Sequence, residues 1–317
     1  MTFEDFLAQW NSGVNEISVK TSGSTGQPKE IKLPRSFMKE SAIRTNEFFR
    51  ITQNSRLHSC VAPDFIGGKM MAVRAATAGC RLSWETPSNQ CLSELKATET
   101  IDLLAVVPSQ MHHILDNLDN LPVIKAIIIG GAKIPPQLRE RIADSPLNAF
   151  ETYGMTETAS HIALRKVEKG LVPFKTLGDI RVAKAADNRL SILLPGKQPI
   201  ITNDIASCLS STEFFIKGRI DNVINSGGKK INPEEVEEEI SRIFDGPFLI
   251  SCVADEKWGE KIIMIIERPA EERDDSKLLM QIKALLPSWM APKEIIYVNA
   301  LPRTANGKIM RIRPRSV

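Results

Sequence analysis

Residues 21–29 read Thr-Ser-Gly-Ser-Thr-Gly-Gln-Pro-Lys, so small hydroxyl residues and glycines precede a lysine. A loop of this composition can point several backbone N–H groups into one concavity, and the lysine adds a positive charge. The stretch therefore predicts a binding site for phosphates. It is not a Walker A loop, because the spacing Gly-x-x-x-x-Gly-Lys-Ser/Thr is absent. A solvated turn between two strands is the alternative interpretation of the same residues.

Short apolar runs alternate with helix-like stretches over the first 215 residues. The runs at 56–62, 101–107 and 124–129 are each closed by Pro or Gly and predict buried strands. Helices are predicted at about 35–50, 68–78, 109–118 and 135–143. Alternation of this kind predicts an α/β fold with a mostly parallel sheet, in which ligands bind beyond the carboxyl ends of the strands.

The pattern changes after about residue 217. Asn232 as N-cap and Pro233 at the first helical position predict a helix with Val236, Ile240 and Ile243 on one face. Further strands are predicted at 248–254, 261–267 and 294–298, and a helix near 276–286. We therefore expect an α+β second domain of about 100 residues, with residues 1–220 forming the first domain and 221–317 the second.

Five sequence blocks together resemble the adenylate-forming superfamily, which includes acyl- and aryl-CoA synthetases. The first is the phosphate loop, and the others follow in the family's order: Tyr153–Thr158, Thr202–Asp204, Gly218–Glu237 and Pro302–Lys308. The resemblance covers nearly the whole chain from residue 21. It implies a large N-terminal sheet-and-helix domain with a shortened N-terminus, followed by a smaller, mobile C-terminal domain.

The resemblance also implies which residues bind the nucleotide. Gly130, Gly131 and Ala132 would lie against adenine. Tyr153, followed by Gly154, would stack on the base. The phosphates of ATP would be held by the loop residues Thr21, Ser22, Gly23, Ser24, Thr25, Gly26 and Lys29.

Four further residues are implied at the α-phosphate, the metal ion and the ribose. Thr156 would contact the α-phosphate, and Glu157 would bind Mg²⁺, an ion that prefers oxygen ligands. Asp204 would accept hydrogen bonds from the ribose hydroxyls, and Arg219 would assist at the ribose and phosphate. Asn203 stands where the family usually has glycine.

The C-terminal domain is expected to serve both half-reactions. Lys308 would stabilise the charge that develops as a carboxylate displaces pyrophosphate. Rotation about a hinge at Asp221 would then withdraw this lysine. Gly227 and Gly228 would line the passage for the pantetheine arm of coenzyme A. As isolated residues, Lys308 and Asp221 would instead be an ordinary solvated lysine and a turn residue.

The acid-binding residues are sought in two stretches, 64–74 and 156–161, which resemble the o-succinylbenzoate–CoA ligase branch of menaquinone synthesis. Arg74 would pair with a distal carboxylate of the substrate, a task suited to a bidentate guanidinium. A surface charge on a helix is the equally weighted alternative. Ser160 and His161 are candidates for the wall of the aryl pocket, although a lone histidine is more often structural.

Composition excludes several other classes of protein. Lys and Arg total 41 against 38 Asp and Glu, so the net charge of +3 does not indicate a nucleic-acid-binding protein. The five cysteines are scattered without a Cys-x-x-Cys pair, which favours free thiols over disulfides or zinc ligands. No signal peptide or membrane span is predicted, so a cytoplasmic location is expected.

These observations predict an AMP-forming acid–CoA ligase. Its partners would be ATP with Mg²⁺, coenzyme A and a small-molecule carboxylic acid, with o-succinylbenzoate as the expected acid. A ligase for another aryl or acyl acid, or one that loads a carrier protein, stays open, as does the oligomeric state. A catalytically silent nucleotide-binding regulatory protein is the alternative from another class, but Lys308, Glu157 and Asp204 argue against it because a pure binder needs no adenylation lysine.

Overall fold

The computed structural model describes residues 1–20, 29–268, 275–303 and 309–314. The chain divides into two compact units, Met1–Ile180 and Arg181–Val317. The predicted domain boundary between residues 220 and 221 stays a prediction. The predicted phosphate-binding residues 21–26 and the predicted adenylation residue Lys308 lie outside the described residues.

The described part of the first unit contains five α-helices. The four helices predicted there are confirmed as α2 to α5, with ends within two residues of the prediction. The additional helix α1 begins with a capping box, in which Thr2 Oγ1 accepts from Asp5 N at 3.1 Å and Thr2 N donates to Asp5 Oδ2 at 2.9 Å. The helices are α1 (Phe3–Asn11), α2 (Arg35–Phe49), α3 (Ile66–Ala78), α4 (Gln110–Asp116) and α5 (Pro136–Ala143).

Seven described strands of the first unit lie side by side in the large sheet, in the order β11-β10-β9-β8-β6-β3-β4. Pairing is parallel from β4 through to β9 and antiparallel from β9 to β11, so the predicted parallel sheet is confirmed for β4 to β9 only. β1 and β2 form an antiparallel pair, and β5 and β7 a short parallel pair. The strands are β1 (Glu16–Lys20), β2 (Glu30–Pro34), β3 (Arg56–Ser59), β4 (Arg81–Trp84), β5 (Thr100–Ile101), β6 (Leu103–Val106), β7 (Val123–Ile124), β8 (Ile127–Ile129), β9 (Ala149–Met155), β10 (Ser160–Lys166) and β11 (Phe174–Thr176).

Helices cover both faces of this sheet. Ile127 and Ile129 of β8 pack in one core cluster with Met111 of α4 and Leu138 of α5. Ile128, between them, belongs to a second cluster that includes a methionine of α3. Successive side chains of a strand point to opposite faces, so the all-apolar β8 is typical of a strand covered on both sides.

The predicted alternation of strands and helices over the first 215 residues is wrong in its last third. From Ala149 to Arg219, a stretch described throughout, the regular elements are strands and one short 3₁₀ turn, with no α-helix. The strands that pair along this stretch run antiparallel. Antiparallel neighbours can be joined by short turns, so no crossover helix is needed between them.

The second unit contains an antiparallel four-stranded ladder and a separate α+β layer. The ladder has the order β12-β13-β14-β15, and the α+β layer pairs β17-β16-β19-β18, with β20 parallel to β19. The elements are β12 (Arg181–Lys184), β13 (Arg189–Leu193), β14 (Ile200–Cys208), β15 (Glu213–Arg219), β16 (Ile224–Ser226), β17 (Lys229–Ile231), α6 (Pro233–Ile240), β18 (Phe248–Asp255), β19 (Gly259–Glu267), α7 (Asp275–Leu285) and β20 (Glu294–Val298).

The elements predicted for the C-terminal region are confirmed, with one correction at α6. Val236 and Ile240 are buried in the core between the helices and β19, as expected. Ile243 does not share their face: it lies beyond the end of α6 and is 41% exposed. Phe244 occupies the core instead, because the chain leaves the helix after Ile240.

Across the described part of the chain, no helix is both long enough and apolar enough to span a bilayer.

Candidate functional site

Arg74 is a buried guanidinium without an anion. Its side chain lies on α3 and is only 1% exposed. One terminal nitrogen lies 3.4 Å from both Ser160 Oγ and His161 Nδ1, and the other lies 3.4 Å from Met71 Sδ. The Nε atom is buried without a hydrogen-bond partner, and no described carboxylate pairs with the group. Burial lowers the pKa of Arg74 to about 9.

The hydrogen bonds around His161 define its protonation. Thr45 Oγ1 donates its proton to the carbonyl oxygen of Ser41 at 3.2 Å, so at 3.0 Å it must accept from His161 Nε2–H. The other ring nitrogen, Nδ1, then carries a lone pair that faces Arg74. Burial, followed by the nearby charge of Arg74, lowers the pKa of His161 well below its usual value. The imidazole is therefore neutral and accepts from the arginine.

The turn between β9 and β10 carries Ser160 and His161 to this position. Ala159 and Ser160 both have positive φ, 52° and 93°, which is a costly backbone conformation for residues other than glycine. Gly154 faces the other end of the turn, and a Cβ there would lie 2.2 Å from the carbonyl oxygen of Ser160. The Gly of the Tyr-Gly-Met-Thr-Glu block is thus required by close backbone contact.

Thr156 and Glu157 lie in the short 3₁₀ turn Thr156–Thr158 that follows β9. Thr158 Oγ1 accepts from Met155 N at 3.0 Å and fixes this turn. Thr156 is buried, whereas Glu157 is exposed, and within the described chain no hydrogen bond or ion pair engages its carboxylate. That carboxylate is available to a metal ion.

The residues predicted to contact adenine lie at the same edge of the sheet as this turn. Gly130, Gly131 and Ala132 directly follow β8, and Tyr153 lies near the carboxyl end of the neighbouring parallel strand β9. The Tyr153 ring packs against Phe174, with ring centroids 5.7 Å apart. Lys29, the described end of the predicted phosphate loop, is exposed immediately before β2.

A buried ion cluster beneath Tyr153 was missed by the sequence analysis. Glu151 is 4% exposed. Its Oε2 lies 2.5 Å from Arg139 and 2.7 Å from Arg165. The guanidinium of Arg165 also lies 4.4 Å from the centre of the Phe174 ring, which packs on Tyr153. No local motif marks this cluster, because its members come from β9, α5 and β10.

In the second unit, the predicted ribose-binding residues are neighbours. Asp204 and Arg219 are directly opposite each other in the β14–β15 ladder, and their side chains are 3.5 Å apart. The second terminal nitrogen of Arg219 lies 3.0 Å from Asp221 Oδ2, which also accepts from Asn203 Nδ2 at 2.9 Å. The predicted hinge residue Asp221 is therefore held by Arg219 of the predicted ribose site and by Asn203, which precedes Asp204.

Gly227 and Gly228 form the two-residue turn of the β16–β17 hairpin. Both have positive φ, 57° and 77°, which is the combination that a tight type I′ hairpin turn requires. Gly227 N also donates to the carbonyl oxygen of Trp258 at 2.8 Å. The turn geometry alone accounts for both glycines, and their predicted contact with coenzyme A stays a prediction.

Comparison with protein families gives two matches in order along the chain. Residues 20–193 match the family described as AMP-binding enzyme, and residues 250–308 match the AMP-binding enzyme C-terminal domain.

Individual relatives point the same way. The 2-succinylbenzoate–CoA ligase of Listeria monocytogenes is 25% identical over 97% of this chain and 71% of its own length. A crystal structure of an acyl-CoA synthetase (AMP-forming)/AMP-acid ligase II-like protein from Dyadobacter fermentans is 30% identical, with a TM-score of 0.63, and covers 96% of this chain and 90% of that one.

A more distant structure shares the fold. The o-succinylbenzoate CoA synthetase of Bacillus subtilis, in complex with its acyl-adenylate intermediate, superimposes with a TM-score of 0.79 at 21% identity, over 93% of this chain and 67% of that one. The same enzyme, in complex with ATP and magnesium ion, gives a TM-score of 0.77 at 20% identity, over 93% and 68% of the two chains.

Proposed function

Because the chain belongs to the AMP-binding enzyme family, we propose that it is an ATP-dependent acid–CoA ligase. It joins a carboxylic acid to AMP with release of pyrophosphate, and then transfers the acyl group from AMP to the thiol of coenzyme A. The two family matches, in the order expected for such an enzyme, support this activity. The Listeria relative that matches almost the whole chain is named as a ligase of this kind.

The acid we propose is o-succinylbenzoate, and the observation that carries this choice is the unpaired Arg74. This guanidinium is 1% exposed and has no carboxylate partner among the described residues, so its buried charge is uncompensated there, which is costly in a protein interior. A substrate with two carboxylates can supply the missing anion with one of them and react through the other. A monocarboxylic acid leaves Arg74 unpaired.

Ser160 and His161 would complete this acid site as positioning groups. Both contact the same terminal nitrogen of Arg74, so they hold the guanidinium plane while its Nε atom stays free for an incoming oxygen. The neutral imidazole adds no second positive charge and no negative one. The arginine thus keeps its full charge for the ligand.

The first unit also contributes a fitting metal ligand. The exposed carboxylate of Glu157, without a partner in the described chain, suits Mg²⁺, which binds oxygen donors and nucleotide phosphates. When bound, this ion neutralises charge on the phosphates. Thr156 would contact the α-phosphate, Gly130, Gly131 and Ala132 the adenine face, and Tyr153 would stack on the base.

The second unit would contribute the ribose contacts and the adenylation lysine. Asp204 would accept hydrogen bonds from the ribose hydroxyls, and Arg219 would orient the ribose. The 3.5 Å separation of the two side chains supports this pairing. Lys308 stabilises the charge that spreads over the α-phosphate as the acid attacks. We retain the hinge at Asp221, and with it the boundary after residue 220, as part of the proposal. A cytoplasmic location is proposed as well, supported by the five free cysteines.

An acid screen tests this function. Purified protein with ATP and Mg²⁺ is given o-succinylbenzoate, benzoate or a fatty acid, and AMP release is measured with and without coenzyme A. We expect o-succinylbenzoate to give the highest rate, with thioester formed only when coenzyme A is present. Absence of acid-dependent AMP formation across the panel would overturn the ligase assignment, and preference for a monocarboxylic acid would overturn the substrate.

Measuring the two half-reactions separately tests the role of Lys308. The Lys308→Ala variant is expected to lose adenylate formation by on the order of a hundredfold or more, because one preorganised charge at the reacting phosphate is removed. Thioester formation from supplied acyl-adenylate should be largely retained. Equal loss of both half-reactions would contradict the assignment.

A further inference from the structure

A cluster of metal-ligating side chains lies at the carboxyl ends of two strands of the large sheet and includes none of the residues predicted to bind the nucleotide or the acid. His58 lies in β3, Cys60 directly follows β3, and Glu85 directly follows the parallel edge strand β4. One nitrogen of His58, the sulfur of Cys60 and a carboxylate oxygen of Glu85 all lie within 4.8 Å of one another. The two parallel strands thus bring three different donor types to one point at their carboxyl ends.

The orientation of His58 is fixed by a hydrogen-bond chain. Ser83 Oγ donates to the carbonyl oxygen of Leu57 at 3.3 Å, so at 2.8 Å it accepts from His58 Nδ1–H. In the neutral imidazole the lone pair is then on Nε2, which is buried without a hydrogen-bond partner and lies 3.6 Å from Glu85 Oε2. A lone pair and a carboxylate oxygen therefore face each other inside the protein, where an unsatisfied arrangement of two acceptors is costly. A cation between them removes this conflict.

We propose that His58, Cys60 and Glu85 form a binding site for a zinc-class divalent cation, with His58 Nε2, Cys60 Sγ and a Glu85 oxygen as ligands. On binding, the Cys60 thiol releases its proton to solvent and becomes a thiolate. The thiolate and the carboxylate together carry two negative charges, which balance the divalent ion. A water molecule, which adds no charge, takes the fourth position of a tetrahedral site.

The surrounding groups already hold the ligands in place. Both oxygens of Glu85 accept from Leu92 N at 3.0 Å. Gln110 Nε2 donates to the carbonyl oxygen of Cys60 at 3.0 Å. Such second-layer hydrogen bonds orient the ligands of protein metal sites. Ser83 plays the same part for His58, since it fixes the tautomer that a metal requires.

The donor set separates this site from the magnesium site proposed at Glu157. Sulfur and imidazole nitrogen select zinc, cobalt and similar ions, whereas Mg²⁺ prefers oxygen alone. The ligands also come from two strands, so a bound ion would tie the edge strand β4 to β3. We therefore expect the ion to stabilise the fold, independently of nucleotide.

The test uses the full chain, freed of metal with a chelator and titrated with Co²⁺ in the absence of ATP. We expect one equivalent to bind with the intense thiolate-to-cobalt charge-transfer absorption, and Zn²⁺ to displace it. Because this measurement is made on the unaltered protein, it does not depend on whether a variant folds. Absence of the charge-transfer band would overturn the proposal, and a doubly protonated His58 paired with Glu85 would then occupy the cluster.

Variants assign the ligands. Cys60→Ser should abolish the charge-transfer band, and Ser83→Ala, which alters only the support of His58, should weaken binding by about 10–100-fold. Cys80→Ser is the matched control. Cys80 directly precedes β4, whereas Glu85 directly follows it, and Cys80 lies outside the cluster. Retention of the band in Cys60→Ser, or equal affinity in Ser83→Ala and Cys80→Ser, would contradict the site.

Discussion

Two clusters of the first unit contain buried arginines, but only one of them includes a carboxylate of the described chain. At Glu151, one carboxylate that is 4% exposed is shared by Arg139 and Arg165 at 2.5 and 2.7 Å. At Arg74, a guanidinium that is 1% exposed meets a hydroxyl, a neutral imidazole and a thioether. In the first cluster a carboxylate of the protein itself pairs with both arginines and supports the fold. In the second cluster, as far as the described residues show, an anion is supplied only when a ligand brings one.

The largest effect is expected from unbalancing the internally paired cluster. Glu151→Gln removes the carboxylate that Arg139 and Arg165 share in the buried cluster, which should lower the free energy of unfolding by about 3–5 kcal/mol. Urea unfolding measures the loss. The matched control is Asp116→Asn, which breaks an exposed ion pair with Arg141 and should change stability by less than about 1 kcal/mol. Similar losses in both variants would show that the buried Glu151 cluster stabilises the fold no more than an exposed ion pair does.

The opposite change at the unpaired cluster should affect binding and not folding. Arg74→Met removes an uncompensated buried charge, so stability should stay unchanged or increase. Transition-state stabilisation for o-succinylbenzoate should fall by about 2–5 kcal/mol, because a buried charge pair with the ligand is lost. Steady-state kinetics with o-succinylbenzoate and benzoate give the comparison, in which benzoate serves as the control without a distal carboxylate. A marked loss of stability, or equal loss with both acids, would show that Arg74 is structural.

The neutral His161 predicts a pH effect on stability. Its folded pKa is lowered below the usual value, so the unfolded chain takes up a proton near pH 6.5 that the folded chain refuses. Stability should therefore fall as the pH drops below about 6.5, by up to about 1.4 kcal/mol per pH unit from this group. His161→Gln should lose this component of the slope, measured by urea unfolding between about pH 7 and pH 5. An unchanged slope would mean that His161 is protonated in the folded protein.

The smallest effect is expected at Ser160. Its hydrogen bond with Arg74 is long, at 3.4 Å, and a net hydrogen bond contributes about 1 kcal/mol. Ser160→Ala should reduce kcat/KM for o-succinylbenzoate by less than about tenfold and leave the benzoate reaction unchanged. A larger loss than that of Arg74→Met would place the main substrate contact at the serine.

Sequence patterns predicted the regular elements better than the environments of their side chains. The helices α2 to α5 and the parallel strands β3, β6 and β8 were anticipated because their apolar periodicity and the Pro and Gly residues that close the strand runs are local signals. The parallel strands β4 and β9 were not. Whether Arg74 was a surface charge or a buried one could not be decided. Residues 68–75 of α3 are all buried, so the helix has no polar face against which an arginine position can be judged.

Clusters assembled from distant strands were beyond local reasoning. Glu151 meets arginines 12 and 14 residues away on other elements. His58 and Glu85 are brought together by the β3–β4 pairing, and the scattered cysteines were taken as free thiols with no metal partner. By contrast, Arg74, Ser160 and His161 were predicted as one acid site from separate blocks, and the structure brings these three side chains into contact.

The close contact between Gly154 and Ser160 couples the two strands of the β9–β10 hairpin. Because no side chain fits between residue 154 and the carbonyl group of Ser160, the backbone has no slack there, and the turn that carries Glu157 cannot shift without carrying Ser160 with it. If Glu157 binds magnesium and Arg74 binds the acid, as proposed, the two binding events would influence each other through this short backbone segment. A larger residue at position 154 would push the two strands apart here, and we expect it to weaken nucleotide binding and acid binding together.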